Sequence, residues 1–464
     1  MQPPDNQILT AAQMRRAEEE LIAGGTGVDQ LMQTAGRGAA DWVWRVSGGR
    51  PVTVLCGPGN NGGDGYVIAQ ALHERGGPVQ VIAASEPKTD AARTARALYH
   101  REVCGTDVSA IGEVLVDCLF GTGLTRALSS EHTALLTRLA ASHALRVAVD
   151  LPSGVDSDTG QPLGPGLPDY DLTLALGAWK PAHFLMPACA QMGALRLVPI
   201  GVGAVPDAAA LIARPRLHAP VADAHKYTRG LLVVIGGAMP GAARLAATAA
   251  QGSGAGYVKL LGEAPAPDDI VADPQPLANA LTDTRINALL IGPGLGRDAA
   301  ARERLTLAMA ENIPAVLDAD ALVLLTGRLQ AQRTAPLIAT PHEGELAALE
   351  RAFGCAGEGG KVERARALAQ VTGMVIVAKG ADTVIAAPDG RTALAARASS
   401  WLSTAGTGDV LAGTIASRLA SGADPFAAAC DGVWLHGEAA RRCPPAFTAG
   451  MLAAAVRSAY AACL

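Results

Sequence analysis

The sequence predicts an α/β chain of two parallel-sheet domains, residues 1–212 and 213–464. Three observations point there. The chain has 464 residues, 49% hydrophobic and 17% charged, which is enough for two sizeable cores. Short apolar runs alternate with helical patterns in both halves, as in βαβ units. A Pro- and Ala-rich stretch, Val202–Val221, separates the two alternations and reads as a linker.

In the first half two helical patterns come first. The second carries Val28, Leu31, Met32, Ala35, Ala39 and Val43 on one face. Val52–Leu55 predicts a strand, followed by a Gly-rich turn and a helix through Ile68, Ala71 and Leu72. Val79–Ala83 predicts a second strand, and Asp90–Cys104 a helix after it. Val114–Phe120 and Arg146–Val149 predict buried strands with a helix, Thr133–Ala141, between them. Leu172–Leu176 and Leu195–Val198 complete the set. Right-handed crossovers place the loops after these strands along one sheet edge, where ligands bind. In the second half the predicted strands are Leu231–Ile235, Tyr257–Leu261, Ala288–Ile291, Ala315–Leu317, Leu337–Ala339 and Met374–Ala378. Helices are predicted at Ala242–Gln251, Thr407–Ala420 and Phe426–Arg442.

The composition excludes several function classes. The net charge is −5, no basic run occurs and aromatics are 3%, so neither a phosphate-backbone binder nor a base-stacking platform is expected. No run of 18 apolar residues occurs, so no membrane span is expected. Met1–Thr10 lacks the basic-then-apolar pattern of a secretory signal. The eight cysteines form no C-x-x-C pair and read as reduced packing residues of a cytoplasmic protein. Ala-rich helices suit packing between subunits, so a homo-oligomer is expected.

The strongest N-terminal signal is Cys56-Gly57-Pro58-Gly59-Asn60-Asn61-Gly62-Gly63-Asp64-Gly65, between a strand and a helix. Its glycines allow close backbone approach, and the N–H groups opening the helix can hold phosphate. It is neither a Walker A loop nor a G-x-G-x-x-G fingerprint. Two more strand ends carry Asp117-Cys118-Leu119-Phe120-Gly121-Thr122-Gly123-Leu124-Thr125 and Asp150-Leu151-Pro152-Ser153-Gly154-Val155-Asp156. In a parallel sheet these loops open on one edge. There Asn61, Asp117 and Ser153 can converge as oxygen donors around a hard cation, and Asp150 can carry a proton.

Together with Leu31-Met32-Gln33-Thr34-Ala35-Gly36, these motifs resemble the NAD(P)H-hydrate epimerase (YjeF N-terminal) family over about residues 8–201. The resemblance implies a Rossmann-like three-layer α/β/α domain. It implies that Asn60, Asn61, Gly62, Gly63, Asp64, Gly121, Thr122, Gly123, Leu124, Thr125, Arg126 and Ala127 hold the hydrated cofactor. It further implies K+ on Asn61, Asp117 and Ser153, and substrate contact and catalysis by Asp150. The reaction would interconvert the two C6 epimers of the hydrate.

In the second half, Ser403-Thr404-Ala405-Gly406-Thr407-Gly408-Asp409-Val410-Leu411-Ala412-Gly413 places a Gly-rich turn before a helix, an anion hole with a carboxylate beside it. Asp409 sits where it can take a proton from a hydroxyl that attacks a phosphoryl group. The pattern resembles the ribokinase-like fold. His225-Lys226-Tyr227-Thr228-Arg229-Gly230, Gly254-Ala255-Gly256, Gly292-Pro293-Gly294-Leu295-Gly296, Thr340-Pro341-His342-Glu343-Gly344-Glu345 and Lys379-Gly380-Ala381-Asp382-Thr383 narrow it. Together they resemble the ADP-dependent NAD(P)H-hydrate dehydratase family over about residues 218–464. Two departures stand out. Glu343 takes the place of the usual Pro, and Ala398-Ser399-Ser400-Trp401 that of an Asn-Pro-Gly segment.

This second resemblance implies that Lys379, Gly380, Ala381, Asp382, Thr383 and Gly408 contact an adenine nucleotide, ADP as co-substrate. It implies that Ala255, Gly294, His342 and Asp409 face the hydrate, with Asp409 catalytic. Mg2+ is expected from phosphoryl-transfer chemistry. Asp318 and Asp320 end a strand and read as supporting or loop-bonding residues. The expectation is a bifunctional lyase and isomerase that repairs NAD(P)H hydrates. The alternative is a ribokinase-like small-molecule kinase with an N-terminal nucleotide-binding regulatory module.

Overall fold

Alternation along one strand sets the layers of the N-terminal unit. Val52, Val54 and Cys56 face a cluster with the helices Val28–Ser47, Asn60–Glu74 and Asp90–Leu98. Leu55 points the other way, onto Leu135, Leu136 and Leu139 of the helix Ser130–Ser142. The result is a sheet covered on both faces, as a parallel sheet requires. The computed structural model describes residues 5–108, 110, 112–262, 266–330, 333–355 and 357–464. Of the stretch Met1–Thr10, residues 1–4 lie outside it.

The chain divides at residue 210 into two units. The strands of the first are β1 (Gln7–Ile8), β2 (Val52–Cys56), β3 (Val79–Ala83), β4 (Val103–Cys104), β5 (Val114–Cys118), β6 (Leu145–Val149), β7 (Leu172–Leu176) and β8 (Ala194–Val198). The main sheet runs β4-β3-β2-β5-β6-β7-β8, with parallel pairing throughout. Strand order reverses between β2 and β5. The loops after these two strands therefore part and leave a crevice. Gly57 lets them start close together, since a Cβ there would lie 1.8 Å from the Leu119 carbonyl oxygen.

Two expectations are corrected here. The helix expected over Asp90–Cys104 stops at Leu98, where Tyr99 turns extended and buries its ring, and Val103–Cys104 becomes β4 beside Val81–Ile82. The stretch Val202–Val221 is not free of structure: β9 (Ala209–Leu211) lies within it, and Ala209 and Ala210 pair antiparallel with β1. That partner is about two hundred residues away in sequence, beyond any local pattern.

The second unit contains β10 (Leu231–Ile235), β11 (Tyr257–Leu261), β12 (Val271–Asp273), β13 (Ile286–Ile291), β14 (Ala315–Leu317), β15 (Leu337–Ala339), β16 (Val375–Ala378), β17 (Val384–Ala386) and β18 (Thr392–Leu394). Their order is β18-β17-β16-β15-β14-β13-β10-β11-β12, parallel except for the antiparallel β16-β17-β18 edge. The helix Thr407–Ala420 buries Leu411, Ala412, Ile415 and Ala416 in the core with Ala243, Ala246 and Ala247 of the helix Pro240–Gln251. Among the described residues no helix is long and apolar enough to cross a membrane.

Candidate functional site

In the N-terminal unit the crevice holds a cavity of about 390 Å³. Of the expected residues, Asn60, Asn61, Asp64, Gly121, Thr122, Gly123, Leu124 and Asp150 line it. Gly62 and Gly63 do not; they pack the helix start against Gly57 and Met32. Thr125 and Arg126 are exposed farther along the loop, and Ala127 lines a separate cavity of about 40 Å³.

Asp150 is held from several sides. It ends β6 with φ 66°, and its backbone N–H donates to the Leu174 carbonyl at 2.7 Å. Thr122 donates to Oδ2 through its N–H at 2.9 Å and its hydroxyl at 2.5 Å. The Lys180 ammonium, 1% exposed, donates to Oδ1 at 2.5 Å and to the Leu176 carbonyl at 2.6 Å. Burial works to raise the Asp150 pKa, but Lys180 and then Thr122 outweigh it, so the carboxyl lies below its ordinary value.

His183 fixes the backbone of the same residue. Its Nδ1 accepts the Lys180 N–H at 2.9 Å, which leaves Nε2 to donate to the Asp150 carbonyl at 2.8 Å. Burial first, and Lys180 second, push its pKa down to about 4, so the ring is neutral.

Asp117 lies buried beside this cavity. Its Oδ1 accepts from Leu119 N–H at 3.0 Å and the Ser153 hydroxyl at 2.7 Å; its Oδ2 accepts from Ser153 N–H at 3.1 Å and Tyr170 at 2.5 Å. Burial raises its pKa against the pull of these bonds. The Asn61 amide is different: both its nitrogen and its oxygen are buried without a hydrogen-bond partner among the described residues.

The second unit builds its own site. Gly406, φ 91°, caps the helix Thr407–Ala420 without a side-chain hydrogen bond; the Thr407 N–H donates to the Thr404 carbonyl at 3.3 Å, leaving the next two N–H groups, Gly408 and Asp409, for an anion. Asp409 stands in that first turn. Burial, then the nearby Asp318, push its pKa up to about 6 against Lys379. Lys379 Nζ donates to Asp318 at 2.6 Å, and a Cβ on Gly408 would lie 3.6 Å from that Nζ. Lys379, Asp318, Gly408 and Asp409 thus share one place. The Thr340 hydroxyl holds the same Asp318 oxygen at 2.7 Å, and Lys379 N–H donates to the Pro341 carbonyl at 2.8 Å.

The neighbouring residues are largely engaged. His342 caps the helix Glu343–Phe353, its Nδ1 accepting from Gly344 and Glu345 at 3.0 and 3.4 Å. Gly294, φ 63°, comes so close to Met239 that a Cβ would lie 2.2 Å from its carbonyl oxygen. Asp320 binds Gly296 N–H and the Arg297 side chain, so it serves the loop. In the turn Gly380, Ala381, Asp382 and Thr383, Asp382 pairs with Lys361 at 2.6 Å and Thr383 bonds Gly380. Ala255 is not brought to this group. It precedes β11, and its N–H donates to Ser417 at 3.0 Å. Ser417 is eight residues beyond Asp409 on one helix, about 12 Å along its axis.

Comparison with known proteins decides the family. A model described as NAD(P)H-hydrate dehydratase matches residues 232–461, and one described as YjeF-related protein N-terminus matches residues 28–182. The bifunctional NAD(P)H-hydrate repair enzyme Nnr of Salinibacter ruber is 34% identical, covering 94% of this chain and 92% of the relative. The enzyme of the same name from Gloeobacter violaceus is 36% identical, covering 93% and 92%. The chain belongs to the family of bifunctional NAD(P)H-hydrate repair enzymes. A solved ADP/ATP-dependent NAD(P)H-hydrate dehydratase of Bacillus subtilis, co-crystallized with ATP/Mg2+, is 29% identical, covering 54% of this chain and 95% of that one, with a TM-score of 0.48.

Sequence reading missed several groups in this family member. Lys180 and Glu18 line the first cavity, and His183 orients Asp150. His436 lies buried with Nε2 2.9 Å from the Thr407 carbonyl, its pKa pushed down to about 4 chiefly by burial. Lys180 had a readable signal, a lone Lys shortly after the apolar run Leu172–Leu176, the same context that singles out Lys379. Glu18, on an ordinary charged helix face, had none.

Proposed function

We propose that the N-terminal unit interconverts the R and S forms of NAD(P)H hydrate, and that the C-terminal unit dehydrates the S-form to NAD(P)H with ADP. Residues 1–212 and 213–464 would carry the two activities. The observation that carries this reading is the arrangement at Asp409, a half-buried carboxyl with a raised pKa at an uncapped helix N-terminus, beside the Lys379–Asp318 pair. Such a base titrates close to working pH.

In the dehydration Asp409 takes the proton of the C6 hydroxyl as its oxygen attacks the terminal phosphoryl group of ADP, and the phosphoanhydride bond breaks with its electron pair leaving on AMP. The N–H groups of Gly408 and Asp409 would stabilise charge on that phosphoryl group. Phosphate then leaves with the C6–O electron pair and the ring-nitrogen lone pair forms an iminium; the C5 proton passes to the released phosphate or to water, and its C–H electrons restore the dihydropyridine. Lys379 would meet the nucleotide by exchanging Asp318 for a phosphate oxygen. Mg2+ would supply charge neutralisation to the phosphates. Gly380, Ala381, Asp382 and Thr383 would flank the nucleotide, and Gly294 and His342 the hydrate.

In the first unit, Asn61, Asp117 and Ser153 would hold K+. The buried, unpartnered Asn61 carbonyl supports this, because an ion supplies the partner it lacks. A bound K+ contributes a fixed positive charge beside the substrate. Epimerisation is expected to fall severalfold when K+ is replaced by tetramethylammonium, with dehydration of pure S-hydrate as reference. Equal epimerisation rates in both salts contradict the assignment.

The overall reading is tested by incubating the purified chain with ADP and mixed hydrates. Full recovery of dihydronicotinamide absorbance with release of inorganic phosphate is expected. Accumulation of a stable phosphoester would identify a kinase instead.

A further inference from the structure

Four ionisable side chains line the N-terminal cavity at close quarters: Glu18, Asp64, Asp150 and Lys180, with Arg15 exposed at its rim. Among the described residues only two of the four are paired, Asp150 with Lys180. Asp64 is 7% exposed and accepts no hydrogen bond among the described residues, although it faces the same space. An ionised carboxylate so largely withdrawn from water, with no protein donor among the described residues and with Asp150 and Glu18 nearby, carries a desolvation cost. A protonated carboxyl avoids that cost and presents an O–H donor to the cavity. Burial, with repulsion from Asp150 and Glu18, raises the Asp64 pKa well above the carboxylate range, while Lys180 holds Asp150 below it. Two carboxyls pushed apart in this way mark an acid and a base.

We infer that Asp64 is the catalytic acid of epimerisation, giving its proton to the C6 hydroxyl while ionised Asp150 serves as the base. This deepens the epimerase reading above and rests on it. Asp64 protonates the leaving oxygen; the C6–O bond breaks with its electron pair going to water, and the ring-nitrogen lone pair forms the C6–N1 double bond. Water then adds to the opposite face through an oxygen lone pair, the double-bond electrons return to N1, and Asp150 takes the proton released. The product is the other epimer, with Asp64 ionised and Asp150 protonated. Proton exchange through water resets the pair, and no outside oxidant or reductant is needed. The scheme sets the two carboxyls on opposite faces of the ring. It leaves Lys180 as a positioning residue that keeps Asp150 ionised.

The test is Asp64→Asn in the full-length chain, which keeps an N–H donor but no transferable proton. The epimerisation kcat is expected to fall about a hundredfold or more, with KM little changed. Dehydration of S-hydrate by the same preparation is the internal reference. A kcat within about threefold of wild type overturns the inference. The pH profile of the unaltered chain is a second check that needs no variant. Its epimerisation kcat is expected to fall toward basic pH as Asp64 ionises; a profile flat on that side also overturns the inference. If the unaltered chain does not epimerise the hydrates at all, the functional reading fails instead, so the two failures are distinguishable.

Discussion

Asp409→Asn is expected to lower dehydration of S-hydrate by about a hundredfold to ten-thousandfold, the range for loss of a general base. Epimerisation is expected to continue, because Asp150 and its cavity belong to the other unit. The pH dependence follows from the cause of the shift. Burial, then Asp318, hold the Asp409 pKa at about 6, and the group acts as a base only when ionised. Dehydration kcat/KM should therefore rise with pH through about 6 and level off above it. The stability consequence has the opposite sense. A carboxyl whose folded pKa is raised opposes folding once ionised, so its cost appears as pH rises past the unfolded value and is full above the folded one. Asp409→Asn should thus melt no lower than wild type at neutral pH while losing its activity. A lower melting temperature with dehydration intact would show Asp409 to be a structural cap.

Lys180→Met is expected to destabilise the N-terminal unit by about 3–5 kcal/mol, the usual result of removing one partner of a buried ion pair. It leaves Asp150 buried with only the Thr122 donors to hold its charge. Epimerisation should fall with it. The sign with pH is again specific. Because Lys180 holds the Asp150 pKa below its ordinary value, the pair's contribution is full above the unfolded carboxylate pKa and lost as pH falls through the folded one. The gap between wild type and Lys180→Met, measured by denaturant melts, should therefore narrow on acidification. A gap that is constant or widens in acid would mean that Lys180 acts by packing alone.

The parallel core of both units was legible because buried strands are continuous apolar runs. Val79–Ala83, Leu172–Leu176 and Leu231–Ile235 appear at the expected bounds. Elements whose partners are distant were not legible in the same way. β9 is made by its pairing with Gln7–Ile8, and β4 by its pairing with Val81–Ile82. The hairpin β17–β18 did carry a local sign, Asp389-Gly390 between Val384–Ala386 and Thr392–Leu394, which is a hairpin pattern. At the sites, residues at strand ends in Gly-rich loops were legible, since chemistry gathers there in parallel sheets. Groups that reach the site from elsewhere, such as Glu18 from the first helix, have no such position to betray them. Ala255 was legible as the segment that opens a strand, and it does precede β11, on the sheet edge away from the loops after β14 and β16.

Two independent sites acting in sequence make one measurement decisive. Pure R-hydrate is incubated with ADP and with Asp409→Asn, Asp150→Ala or an equimolar mixture of the two. Asp409→Asn alone should stop at the equilibrium mixture of epimers, and Asp150→Ala alone should form NAD(P)H no faster than spontaneous epimerisation allows. The mixture should convert all of the hydrate to NAD(P)H, because the S-form passes freely between chains. Failure of the mixture to do so while both variants stay folded, or loss of epimerisation in Asp409→Asn, would contradict the assignment of one reaction to each unit.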